Sequence, residues 1–145
     1  MKRLFALAGT LALSACLTGC PSTSTTQRQQ VALAAQNASI IVAGFQQGEI
    51  VAFQQNLIPA DDHRFIQKEL ITVGTVGKTL DSCILSTTTN QGIVACASTA
   101  TAAIDQIYQD GGLYLKSDKA KSTFQLAMVG VKTAISVIGT IFGGK

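Results

Sequence analysis

Apolar residues recur along this chain in steps of four and three, the spacing of one helix face. Ile66, Leu70, Val73, Gly77, Leu80 and Ile84 form one seam, and Ile93, Ala97, Ala100, Ile104 and Ile107 form a second. Phe124, Met128, Val131, Ile135, Ile138 and Phe142 form a third. Seams of this kind predict helices that bury one stripe against one another. Upstream, Arg28 to Leu57 is rich in Ala and Gln and free of Pro, with Val31, Ala35, Ala38, Val42, Phe45, Ala52 and Phe53 near helical spacing. That stretch predicts a long first helix. Gly44 and Gly48 within it cost about 1 kcal/mol each relative to Ala, so either another helix packs closely there or the helix bends.

The breaks between these stretches are equally readable. Pro59 punctuates the chain, and Asp61 and Asp62 offer an N-cap and a favourable charge for a second helix. Ser86 to Gly92 is polar, and Asn90 and Gly92 suit a turn. The third helix is expected to end near Asp110-Gly111-Gly112, followed by a Leu113-Tyr114-Leu115 connector and a fourth helix capped by Ser117 or Asp118. Thr, Val and Ile crowd Leu85–Val94 and Thr133–Ile141, which would suit strands, but neither stretch alternates strictly. The predicted fold class is therefore all-α, a mostly antiparallel four-helix bundle with short links.

The first twenty residues carry a different pattern. Met1-Lys2-Arg3 is a short basic start, and Leu4 to Ala15 is an apolar run too short to span a bilayer but long enough for an export signal. It ends in Leu17-Thr18-Gly19-Cys20, which resembles the lipobox of bacterial lipoproteins. The resemblance implies a diacylglycerol on the Cys20 thiol, cleavage just before that residue by signal peptidase II, and acylation of the new amino terminus. Leu13-Ser14-Ala15-Cys16 matches the same pattern, so Cys16 is the alternative attachment site. Cys20 is preferred because the polar stretch Pro21-Ser22-Thr23-Ser24-Thr25-Thr26 follows it directly, as a tether would. The expected organisation is a signal peptide over 1–19, a tether over 20–27 and a helical domain over 28–145. An ordinary cleaved signal peptide and an uncleaved anchor are the competing readings, and both also place the domain outside the cytoplasm. Within the resemblance, Pro21 is not the Asp associated with inner-membrane retention, which points to the outer membrane, facing the periplasm.

With Cys16 and Cys20 in the leader, Cys83 and Cys96 remain as a pair. An exported protein meets an oxidising compartment, and a disulfide closing a loop of about fifteen residues stabilises a fold by about 3 kcal/mol in the chain-entropy model. The two cysteines fall near the end of the second helix and the start of the third, where an antiparallel hairpin brings them together. Two free buried thiols, or a metal site short of soft ligands, are the alternatives.

Composition narrows the chemistry. Over 145 residues, 47% are hydrophobic and only 13% charged, with one His and no Trp. Charged residues are about half as frequent as in an average globular chain, which leaves few side chains for catalysis. Formal net charge is +3, but Lys2 and Arg3 lie in the leader and the remainder is nearly neutral. It lacks the basic stripe that nucleic-acid binding requires. No nucleophile elbow, zincin, phosphate-loop or dinucleotide motif is present.

Asp61-Asp62-His63 has the residue types of an acid/base or metal site, although capping explains both aspartates without chemistry. The sequence Phe-Gln-Gln occurs at Phe45 and Phe53, and Tyr108 and Tyr114 flank Gly111-Gly112; either could mark a contact surface. Phe124 to Gly143 is twenty residues with one charge, Lys132, the length a transmembrane helix needs. Gly139 and Gly143 form a G-x-x-x-G step. Against membrane insertion, a lysine near mid-helix costs about 2.5 to 3.5 kcal/mol, and Gln125, Lys132, Thr133, Ser136 and Thr140 lie mostly off the seam.

These readings lead to a lipid-anchored envelope protein without catalytic, cofactor or metal residues, acting as a binding or structural module on an envelope partner or on itself. The alternative is a membrane-active factor of the lysis, toxin or superinfection-exclusion type. In that case Phe124, Met128, Val131, Ile135, Ile138 and Phe142 would be the face that meets a partner or a membrane.

Overall fold

The computed structural model describes residues 26–143. The expected signal peptide with Cys16, the expected attachment residue Cys20 and most of the expected tether lie outside them. The described chain forms α1 (Gln27–Gln54), α2 (Ala60–Ser86), α3 (Asn90–Tyr114) and α4 (Asp118–Gly143), with no strand among the described residues. Neighbours in sequence are neighbours in space, and α4 closes the ring against α1. The result is the predicted up-down-up-down bundle.

The seams form the core much as their spacing predicts, except that Gly77, placed on the α2 seam, is exposed. Ile66, Leu70, Val73 and Leu80 of α2, Ala97, Ala100, Ile104 and Ile107 of α3, and Phe124, Met128, Val131, Ile135 and Ile138 of α4 are all buried. Helix α1 contributes less, with Ala34 buried and Val31, Ala38, Ile41, Val42, Phe45, Ala52 and Phe53 packed partly against the rest. The α1–α2 contact is correspondingly the loosest in the ring. It leaves a groove of about 270 Å³ walled by Ala34, Ala38, Gly74 and Gly77 and floored by Ile104 and Ile135.

Local chemistry sets the helix ends. The Gln29 side chain accepts a hydrogen bond from the Thr26 backbone N–H at 2.9 Å, fixing the start of α1. At its other end Asn56 adopts φ 56°. The N–H groups of Asn56 and Leu57 there bond back to the carbonyls of Phe53 and Ala52, the arrangement in which Asn replaces the usual Gly. Thr89 caps α3 by accepting from the Gly92 N–H at 3.1 Å. Asn90 and Gly92 therefore lie in the first turn of a helix, and only Thr87–Thr89 link α2 to α3.

Two expectations need correction. Helix α3 runs through Gly111-Gly112 to Tyr114, because Gly111 is where the aromatic ring of Phe124 presses on the helix: an added Cβ would meet that ring at 2.3 Å. Gly44 and Gly48, for which close packing was one expectation, have nothing within 4 Å of an added Cβ, and the same holds for Gly74 and Gly77. Opposite effects of alanine are therefore expected. Gly77→Ala should stabilise the bundle by about 0.5 to 1 kcal/mol through helix propensity, whereas Gly111→Ala should cost about 1 to 3 kcal/mol by overpacking. Denaturant midpoints of the two variants test this directly, and the same sign for both would contradict it.

Cys83 and Cys96 form a disulfide with their Cα atoms 5.8 Å apart, joining α2 to α3. It staples the end of the bundle at which α1 begins.

Candidate functional site

The ionisable side chains concentrate at the opposite end, around the first turn of α2. Consecutive helical residues point about 100° apart, so Asp61, Asp62 and His63 reach three different neighbours. Asp62 is 1% exposed, and its two carboxylate oxygens accept the backbone N–H groups of Lys116 (2.9 Å) and Ser117 (2.8 Å). It holds the α3–α4 turn, and Pro59 rather than either aspartate occupies the capping position of α2. Ser117 then caps α4, its hydroxyl accepting from the Ala120 N–H at 3.4 Å.

Asp61 lies at the surface, where it pairs with Lys116 at 2.8 Å and with Arg64. The Lys116 ammonium, and then the Arg64 guanidinium, hold the Asp61 carboxyl below the usual carboxylate range, and Asp61 holds Lys116 above the usual lysine value. Any stability from the lowered Asp61 is present above the ordinary carboxylate pKa and lost as pH falls through the lowered one. For Lys116 it is present below the ordinary lysine value and lost as pH rises through the raised one. Both groups are open to solvent, so salt screens the pair.

His63 turns towards α1. Its Nδ1 donates to the Glu49 carboxylate, its ring stacks on Phe53 with centroids 3.9 Å apart, and Gln67 Nε2 donates to the other Glu49 oxygen at 2.6 Å. The Glu49 side chain is 1% exposed. Sequence reasoning passed over Glu49, although it carried a signal: it is the one acid in the 28 residues of α1, one helical turn after Phe45 on the apolar face. The triplet thus works as three ties. Together they bind α1 to α2 and α2 to the α3–α4 turn, and no buried side-chain polar atom among the described residues lacks a hydrogen-bond partner. Among the described residues there is also no cluster of three or more His, Cys, Asp or Glu able to hold a metal ion.

The other candidates divide between core and surface. Phe124, Met128, Val131, Ile135 and Ile138 face inward at 0 to 5% exposure, and Phe142 packs partly against them. While the bundle is closed, this face meets the other helices and not a partner or a bilayer. Lys132, the charge in mid-helix, reaches Asp105 of α3 at 2.6 Å. Helix α4 is still long and apolar enough to cross a membrane, with a mean hydropathy of 1.7 over its most apolar window. The G-x-x-x-G step lies against α3, where Gly139 approaches Ala97 and Gly143 approaches Val94. Phe45 meets Phe124 edge-on and Phe53 stacks on His63, so the two Phe-Gln-Gln segments are core anchors with exposed amides. Tyr108 packs on the core, whereas Tyr114 is exposed beside Phe65.

No protein-family model, curated protein or solved structure matches the chain.

Proposed function

We propose that this chain is a lipoprotein of the bacterial envelope, anchored through lipid on Cys20, whose bundle serves as a non-catalytic binding or structural module. The observation that carries the reading is the coincidence of the basic start, the apolar run and Leu17-Thr18-Gly19-Cys20. The Cys83–Cys96 bond supports it, since such bonds persist in exported proteins and are rare in the cytosol. The ionisable triplet adds no argument for catalysis, because each of its members is engaged in holding helices together. Anchoring would raise the local concentration of the module at the membrane and strengthen otherwise weak contacts with an envelope protein or with a second copy. The residue after the anchor, Pro21, favours the outer membrane, with the domain in the periplasm.

Intact mass of the protein purified from native membranes, with and without reduction and alkylation, tests this reading. The expected mass is Cys20 to Lys145 plus a diacylglycerol and an acyl chain, with two thiols alkylated only after reduction. An unlipidated mass would overturn it. The length and hydropathy of α4 favour the second reading, a membrane-active factor in which that helix leaves the bundle. Leakage of dye-loaded vesicles that disappears when Ile135 and Ile138 are made polar, in a variant that still folds, would select it.

A further inference from the structure

We infer that the disulfide-stapled end of the bundle rests on the phospholipid surface, with Leu85 as its main apolar contact; this rests on the lipid anchor proposed above. The first reason is reach. Six residues, Pro21 to Thr26, separate Cys20 from the start of α1, and a chain of that length spans at most roughly 25 Å fully extended. The antiparallel order puts the start of α1, the α2–α3 link and the end of α4 at this same end. Pairings along the bundle agree: Glu49 meets His63, Ile41 lies beside Gly130, Cys83 is bonded to Cys96, and Gly143 lies beside Val94.

The second reason is charge. Between Arg28 and Glu49, before Asp105 in α3, and after Lys132 in α4 up to Lys145, the sequence has no ionisable side chain, and only α2 brings Lys78 and Asp81 towards this end. The opposite end holds Asp61, Arg64, Asp110, Lys116, Asp118 and Lys119. Charges resist transfer out of water, so the end that carries fewer of them, with Asp81 and Lys78 of α2 at its margin, is the one that approaches lipid at lower cost.

The third reason is what the end presents. Leu85 is 87% exposed two residues after Cys83, and Leu33 and Val137 are 53% and 45% exposed. At 1.5 Å per helical residue all three lie within about 10 Å of the end, the depth to which interfacial helices bury apolar side chains. Around Leu85 lie Ser86, the last residue of α2, and the link Thr87, Thr88 and Thr89, whose hydroxyls suit the headgroup layer. The disulfide keeps this surface assembled.

The chain has no Trp, so a single substitution gives a clean reporter. Full-length lipidated protein carrying Leu85→Trp, or Leu113→Trp at the far end where the side chain is 76% exposed, is reconstituted in phosphatidylethanolamine–phosphatidylglycerol vesicles with brominated acyl chains. The Leu85→Trp reporter should shift to the blue and be quenched roughly twofold or more, as expected for burial at the interface, while the Leu113→Trp reporter is unaffected. Floated, lipidated protein with an unquenched Leu85→Trp reporter would overturn the orientation and leave the anchor standing, and so would equal quenching of both reporters. Protein that carries no lipid and does not float would overturn the anchor and the orientation together.

Discussion

Replacing Asp62 by Ala should lower the unfolding free energy by about 2 to 5 kcal/mol, a large share of what a domain of this size has. The carboxylate is almost wholly buried and accepts from two consecutive backbone N–H groups, those of Lys116 and Ser117. Truncation removes both acceptors at a site that water reaches poorly, and each buried donor left unpaired costs about 1 to 3 kcal/mol. Asp62→Asn keeps one oxygen and should lose about half as much. The discriminating readout is local: amide exchange at Lys116 and Ser117 should accelerate more than at Cys96 and Ala97, at the stapled end of α3. A loss below about 0.5 kcal/mol in denaturant titrations, the scale of an ordinary surface substitution, would show that the α3–α4 turn does not depend on this carboxylate.

Asp62 also shows where sequence reading stops. The seam residues of α2, α3 and α4 were legible because burial of one stripe imposes a period on the sequence, and the pairing of Cys83 with Cys96 followed from the hairpin those periods imply. Asp62 sits 54 residues from Lys116, and no local pattern records a side chain that caps a distant turn. Its position after a Pro, at a helix start, fits a local cap equally well, and this is what the sequence suggested. The end of α3 was misplaced for a related reason. Gly111-Gly112 reads as a stop signal when only backbone propensity is considered, whereas here a glycine is needed mid-helix because a ring from α4 occupies the space a Cβ would fill.

Helix α1 was the least legible element in its packing, although its extent was close. It mixes Ala, Gln and Gly on all faces, so its apolar stripe is broad and shallow, and it forms the loosest contact of the ring, with α2. The sequence could not show that Glu49 would be its principal polar tie. At the candidate site the sequence suggested local capping by Asp61 and Asp62, whereas Pro59 holds that position and both aspartates reach Lys116 or its neighbour across the α3–α4 turn. What the residue types alone could not show is that His63 faces Glu49 and Phe53 instead of either neighbouring aspartate.

Phe124→Ala should be about as damaging, at about 3 to 5 kcal/mol for a fully buried aromatic ring. Phe124 is 0% exposed, meets Phe45 and Phe65 edge-on with centroids 5.9 and 6.1 Å away, and fills the space over Gly111. It therefore joins all four helices at the end distant from the disulfide. The substitution also separates the two functional readings: a core residue lowers the denaturation midpoint of the bundle, whereas a residue used only for membrane entry would leave that midpoint nearly unchanged. A second variant makes the test specific to this contact. Because Gly111→Ala is costly only while the ring is present, Gly111→Ala made in the Phe124→Ala background should cost much less than it does alone, with a coupling of about 1 kcal/mol or more between the two sites. Strict additivity would mean that α3 and α4 do not meet through this ring, and the packing that makes α4 a core helix would have to be redrawn.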